Sequence, residues 1–148
     1  MISPEILRRY PYFAAISDES LKGLAMIAGE QVFPAATEIF REGDPARYLH
    51  VITKGEVNIQ YLLGNDELRT VDTLVDGDLL CWSALIEPYK TTARGTTSKE
   101  THTVRLEAGK LRELCEQAPL LGFRLTTQVA KLLAHRLEGA RIQLATVD

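Results

Sequence analysis

The sequence predicts an α+β domain in which an antiparallel double-stranded β-helix of the jelly-roll type is flanked by N-terminal helices and a long C-terminal helix. Apolar residues recur at helical spacing near both ends of the chain, and short apolar runs separated by turn residues fill its middle. The 148 residues suit one domain, and a hydrophobic content of 45% is enough for a packed core. We therefore expect a single domain with helices at 1–29, the β-roll at 30–107 and helices at 108–148.

Two short helices are predicted before the β-roll. Pro4 favours a helix start, and the first helix should extend to about residue 9. Ser17 or Asp18 is a good N-cap for the second helix, and Gly29 is expected to end it. The apolar residues that recur at helical spacing in this second helix are Leu21, Leu24, Ala25 and Ala28.

Eight short strands are predicted after Gly29. The runs GDP at 43–45, GND at 64–66 and DGD at 76–78, together with Gly55, favour tight turns between them. Many short strands at even spacing are typical of a sandwich, a barrel or a jelly roll. The predicted strands are 30–33, 38–41, Tyr48–Lys54, Glu56–Leu62, 69–75, 79–81, 92–95 and Thr101–Glu107.

A short helix over Ala108–Gln117 and a long helix from Pro119 towards Val147 are predicted to close the domain. The long helix carries two apolar stripes. The first comprises Leu121, Leu125, Val129 and Leu132, and can dock on the roll. The second has coiled-coil spacing and comprises Thr126, Ala130, Leu133, Leu137, Ala140, Leu144 and Val147. This second stripe predicts a parallel homodimer, because it would be exposed in a monomer. The alternative is a helix that covers more of its own roll.

Composition and motifs exclude several classes of protein. A net charge of −3 disfavours a nucleic-acid-binding surface. The sequence has no run of eighteen apolar residues, so no membrane span is predicted. Cys81 and Cys115, in a chain with no signal peptide, are expected to be reduced thiols in the cytoplasm. No nucleophile–base motif or metal-ligand spacing is found, so we expect neither an enzyme nor a metal site.

Three sequence runs carry a family resemblance: FREGD at 40–44, YLHVITKGEV at 48–57 and DGD at 76–78. With this order of elements, nearly the whole chain resembles the cyclic-nucleotide-binding domain family, which includes the effector domains of catabolite activator proteins. The resemblance implies a regulatory domain whose effector, cAMP or cGMP, binds between the roll and the C-terminal helix.

The ligand site of that family is a phosphate-binding cassette. Backbone N–H groups at a short helix and one arginine hold the cyclic phosphate, while a carboxylate accepts from the ribose hydroxyl. The resemblance places the cassette at 77–85 and 88–93, with His135 and Arg136 of the long helix near the base. The ligand-binding residues that it implies are Gly77, Asp78, Leu80, Cys81, Trp82, Ser83, Ala84, Lys90, Thr91, Thr92 and Arg136.

The cassette departs from the family pattern at three positions. Cys81 stands where the family has glycine, Trp82 stands at the ribose-binding glutamate, and the arginine position falls on Lys90 or Thr91. An indole N–H donates but cannot accept a hydrogen bond, and an ammonium lacks the bidentate fork of arginine. Each lost charge-assisted contact costs roughly 1.5–3 kcal/mol. We therefore expect the fold of the family to be kept better than its affinity for a cyclic nucleotide.

These departures leave alternative functions open. The indole of Trp82 is either a stacking surface for a flat ligand or a plug in the nucleotide pocket. Cys81 is a core residue, or else a haem ligand or redox-sensing thiol. The leading hypothesis is a sensor that signals through its dimer to a downstream protein, and the alternative is a ligand-free dimerisation or docking module. No residues remain after Asp148 for a helix-turn-helix, so direct DNA binding is not expected.

Overall fold

The computed structural model describes residues 1–147. Short N-terminal helices and two C-terminal helices flank a β-region, as predicted. Of the two candidate N-caps of the second helix, Ser17 is confirmed, since its hydroxyl accepts from the Ser20 amide. Ser3 also caps the first helix by accepting from the Glu5 amide. The helices are α1 (Pro4–Arg8), a 3-10 turn (Pro11–Phe13), α2 (Asp18–Ile27), α3 (Ala108–Gln117) and α4 (Pro119–Ala145).

Eight antiparallel strands form two four-stranded sheets, ordered β1-β8-β3-β6 and β2-β7-β4-β5. Together with the flanking helices they confirm the predicted α+β jelly-roll architecture. The strands are β1 (Ala28–Phe33), β2 (Glu38–Phe40), β3 (Tyr48–Lys54), β4 (Glu56–Leu62), β5 (Leu68–Val75), β6 (Leu79–Leu80), β7 (Arg94–Thr97) and β8 (Thr101–Glu107).

The structure corrects three of the predicted boundaries. Gly29 does not end α2, because β1 begins at Ala28 and Gly29 pairs with Arg105 of β8. Cys81 lies outside β6, since its φ of +68° turns the chain away from the strand. Strand β7 begins at Arg94 and not at 92, because Thr91 is hydrogen-bonded to the loop between β2 and β3 instead.

Two apolar clusters hold the fold together. The larger lies between the β1-β8-β3-β6 sheet and the helices, and includes Leu49, Leu106 and Leu111. The smaller lies inside the roll and comprises Ile52, Val57, Leu74 and Leu80. No helix within residues 1–147 is both long and apolar enough to cross a membrane.

Helix α4 presents its two apolar stripes to different surroundings. Leu121, Leu125 and Val129 are buried against the larger cluster and Leu132 packs beside them, as the docking stripe predicts. In the second stripe Leu133 is half-buried, whereas the side chains of Leu137 and Leu144 are exposed. Thr126, Ala130 and Ala140 also lie at the surface.

Candidate functional site

The turn at 76–78, where the cassette begins, is stabilised by the carboxylates of Asp76 and Asp78. Gly77 has a φ of +88°, which glycine adopts without strain, and its amide donates to Ile52 O at 2.7 Å. Asp78 Oδ2 accepts from the Val75 amide at 2.8 Å, and Asp76 Oδ1 accepts from the Gly55 amide at 2.8 Å. Gly77 and Asp78 therefore fix where the cassette begins.

Cys81 occupies the left-handed backbone region at the start of a second 3-10 turn, Trp82–Ala84. This is the position at which the resemblance implies glycine, and the backbone has the conformation that glycine favours. The side chain packs between the two apolar clusters. Burial raises the pKa of the Cys81 thiol to about 12, which disfavours the thiolate needed for iron ligation or redox chemistry. The environment of Cys81 thus favours a packing role.

The cassette lines a small cavity inside the roll, which we call the cassette cavity. Its volume is about 50 Å³, well below the roughly 300–1,000 Å³ of pockets that enclose drug-sized ligands. Of the residues predicted to bind ligand, those that line it are Leu80, Cys81, Trp82, Ser83, Thr91, Thr92 and Arg136. The half-buried Trp82 also packs on the larger cluster.

The other predicted ligand-binding residues lie elsewhere. Gly77, Asp78, Ala84 and Lys90 do not line the cassette cavity, and Lys90 is exposed opposite Pro45. Thr91, the second candidate for the arginine position, is buried at the cavity wall. Its hydroxyl donates to the carbonyl oxygens of Arg41 and Asp44. Among the residues that line the cavity, the cation therefore comes from Arg136 of α4.

Arg136 separates the cassette cavity from a wider cleft. This cleft, which we call the α4 cleft, has a volume of about 340 Å³ and lies between β5 and α4. Its lining includes Asp72, Asp78, His135 and Arg136. Leu74 and Arg136 line both spaces. Arg136 Nη2 lies 3.4 Å from Leu79 O, and its Nε lies 3.8 Å from Asp72 Oδ2. Both contacts are long, so the guanidinium is weakly held where it stands.

Two further side chains tie the cassette to the helices, and the sequence reasoning missed both. Arg112 of α3 donates to Ala84 O at 2.9 Å and stacks over the Tyr89 ring at 4.1 Å. Tyr12 donates its hydroxyl to Gly77 O at 2.9 Å. Burial, followed by the Asp78 carboxylate, raises the pKa of Tyr12, so the phenol remains a donor. Arg112 and Tyr12 both donate to backbone carbonyls that are distant in sequence, and no pattern of residue spacing predicts such contacts.

Comparison with known proteins identifies the family of the chain. The model of the cyclic nucleotide-binding domain matches residues 30–118. A "CRP-like cAMP-activated global transcriptional regulator" of Mycobacterium tuberculosis is 24% identical over 141 residues, which is 95% of this chain. The chain spans 61% of the length of that relative.

Two solved structures share both the fold and part of the sequence. A protein of Geobacter metallireducens GS-15, provisionally named a cyclic nucleotide-binding protein, is 36% identical with a TM-score of 0.84, and the match covers 93% of this chain and 99% of that one. A cyclic nucleotide-binding domain of Methylobacillus flagellatus is 25% identical with a TM-score of 0.79, over 97% and 82% of the two chains. This chain belongs to the cyclic nucleotide-binding domain family.

Proposed function

We propose that the domain is a regulatory sensor, not a catalyst, that binds a small anionic ligand between the β-roll and α4 and signals through a parallel homodimer. The first candidates for the effector are cAMP and cGMP. The observation that carries this proposal is the position of Arg136, whose guanidinium stands between the cassette cavity and the α4 cleft.

The weak contacts of Arg136 support a role as a gate, by which we mean a side chain that moves to open the cassette cavity to the α4 cleft. A ligand phosphate would be a stronger partner for the guanidinium than Leu79 O at 3.4 Å or Asp72 at 3.8 Å. Movement of Arg136 towards such an anion would join the two spaces into one site. The ligand would then bridge the roll and α4, so that its binding shifts the position of the helix.

Two hydrogen bonds between the cassette and the helical elements could transmit a movement of the cassette to the helices. Arg112 of α3 holds Ala84 at the end of the 3-10 turn, and Tyr12 holds Gly77 at the start of the cassette. Any movement of the cassette on ligand binding therefore acts on helical elements at both ends of the segment. A two-state arrangement of these contacts would meet the requirement for allosteric coupling.

A ligand-free docking module is the second candidate function, and the size of the cassette cavity favours it. A space of about 50 Å³ beside Trp82 cannot hold a nucleotide without rearrangement. In this alternative, Trp82 and Arg136 close a pocket that has lost its ligand.

Calorimetric titration with cAMP and cGMP distinguishes the two functions. We expect saturable binding of at least one nucleotide, and a roughly tenfold weaker affinity in R136Q because a charge-assisted contact is lost. R141Q is the matched control, since Arg141 is an exposed residue of the same helix. Binding that is equal in R136Q would contradict the gate, and no binding of either nucleotide by the wild type would favour the docking module.

The exposed stripe of α4 supports the homodimer. Leu137 is 51% exposed and Leu144 is 75% exposed, and they continue the spacing of Thr126, Ala130 and Ala140. Apolar side chains at alternating steps of three and four form the seam of a parallel coiled coil. Pairing of two such helices would cover side chains that a single chain leaves in water.

We expect L137E to convert a dimer into a monomer, because it places a charge in the centre of the proposed seam. Light scattering of the wild type should give twice the mass of the chain. L120E is the control, as Leu120 is 59% exposed on α4 but lies outside the stripe. A wild-type monomer at working concentration, or dimers of undiminished affinity in L137E, would contradict the proposed interface.

A further inference from the structure

The β-roll contains a second cavity, which the cyclic-nucleotide resemblance does not account for. It has a volume of about 280 Å³ and lies against β1, β2, β3 and β8. We call it the arginine pocket. Its principal lining residues are Phe33, Phe40, Arg47, Tyr48, His50 and Arg105.

One wall of the arginine pocket is aromatic, and its Phe33 and Tyr48 rings are inclined to the His50 ring by 62° and 57°. The ring centroids of Phe33 and Tyr48 each lie 5.9 Å from that of His50. His50 is 3% exposed, and one of its ring nitrogens lies 3.1 Å from Thr103 Oγ1. Burial, and then the charge of Arg105, lower the pKa of His50 to about 3, so its ring is neutral near pH 7. With His50 buried, the rings of Phe33 and Phe40 supply uncharged aromatic surface to the pocket.

The pocket also carries two guanidinium groups without a carboxylate partner. Arg47 and Arg105 take part in none of the ion pairs formed within residues 1–147. The guanidinium of Arg105 stacks over the Tyr48 ring at 3.9 Å, an arrangement that leaves its N–H edge available to an acceptor. The one acidic residue among the lining groups is Asp44, whose Oδ2 accepts from the Arg41 amide at 3.0 Å. The lining groups thus have a net positive charge.

We propose that the arginine pocket binds a small aromatic carboxylate, with its ring against the aromatic wall and its carboxylate between Arg47 and Arg105. A volume of 280 Å³ is close to the lower end, about 300 Å³, of pockets for drug-sized ligands, and suits a molecule of one or two rings. Planar guanidinium groups are well suited to bidentate contact with a carboxylate.

This site is separate from the cassette cavity. Phe40, Cys81 and Thr91 line both spaces and form the partition between them. The rim of the arginine pocket at Asp44 is tied to the cassette, since the Thr91 amide donates to Asp44 O at 2.9 Å. Binding in the arginine pocket does not require a nucleotide in the cassette cavity, so the proposal is independent of the sensor function.

The test is a titration of the whole chain with 2-naphthoate, followed by calorimetry and by amide chemical shifts. We expect saturable binding and shifts centred on Phe33, Tyr48 and Arg105. 2-Naphthamide, which lacks the charge, and decahydronaphthalene-2-carboxylate, which lacks the flat ring, should both bind at least about tenfold more weakly.

Arginine variants test the carboxylate contact directly. R47Q and R105Q should each weaken 2-naphthoate binding about tenfold, whereas R9Q, which changes an exposed arginine of the N-terminal region, should not. R47Q carries the test even if R105Q misfolds, because Arg47 is exposed. The proposal is overturned by any of four results: no saturable binding, shifts centred on Trp82 and Arg136, equal affinity for the amide, or undiminished binding by R47Q.

Discussion

Gly55→Ala is expected to destabilise the domain by about 3 kcal/mol and to lower its Tm by roughly 10 °C. Gly55 joins β3 to β4 with a φ of +136°, a backbone conformation that residues with a Cβ rarely adopt. A Cβ at this position would lie 2.6 Å from the Cα of Thr101, which is backbone and cannot rotate away. Urea unfolding followed by circular dichroism measures the change.

The burial of Thr101 prevents the structure from making room for a side chain at Gly55 at low cost. Thr101 is fully buried, and its hydroxyl donates to Lys99 O at 2.9 Å and accepts from the Glu56 amide at 3.2 Å. Moving Thr101 away from a new methyl group would break both hydrogen bonds. Gly64→Ala is the control, because a Cβ added at Gly64 would meet no atom within 4 Å and its φ lies outside the left-handed region. A G55A variant as stable as G64A would contradict the argument.

The order and type of the elements could be predicted from the sequence because local chemistry determines them. Serine caps, the prolines at helix starts and the glycine turns each act within a few residues of their position. Two of the three boundaries that were wrong depend on long-range contacts. Gly29 lies in β1 because it pairs with Arg105, and β7 starts late because Thr91 bonds to the loop at Asp44.

The candidate site was predictable only in part, for a related reason. The resemblance implied a cassette and Arg136, and six of the implied cassette residues line one cavity together with that arginine. It did not identify Arg112 or Tyr12, whose partners are backbone carbonyls, and a carbonyl has no residue identity in a sequence. Nor could spacing show which of Lys90 and Thr91 faces the cavity, because this depends on a turn at Tyr89 with a φ of +59°.

Trp82→Glu is expected to raise the affinity for cAMP by about tenfold or more relative to the wild type. The change removes an indole from the wall of a cavity of only about 50 Å³ and supplies the carboxylate that the family uses for the ribose hydroxyls. A hydrogen bond to a charged group contributes roughly 1.5–3 kcal/mol, which is one to two decades of affinity. Calorimetric titration with cAMP measures the gain, and the loss of Trp82 packing should lower stability by about 2 kcal/mol.

Trp82→Gln separates the two causes of that gain, because glutamine matches glutamate in shape but not in charge. If the indole acts only as a plug, W82Q and W82E should improve binding equally, since both remove the same ring. If the missing carboxylate matters, W82E should bind at least several times more tightly than W82Q, because only an ionised acceptor strengthens the contact with a ribose hydroxyl. Two variants that both bind cAMP no better than the wild type would mean that neither the ring nor the absent charge limits binding. The small size of the cavity would then be set by the backbone of the cassette, including the left-handed conformation of Cys81. The docking function would be favoured.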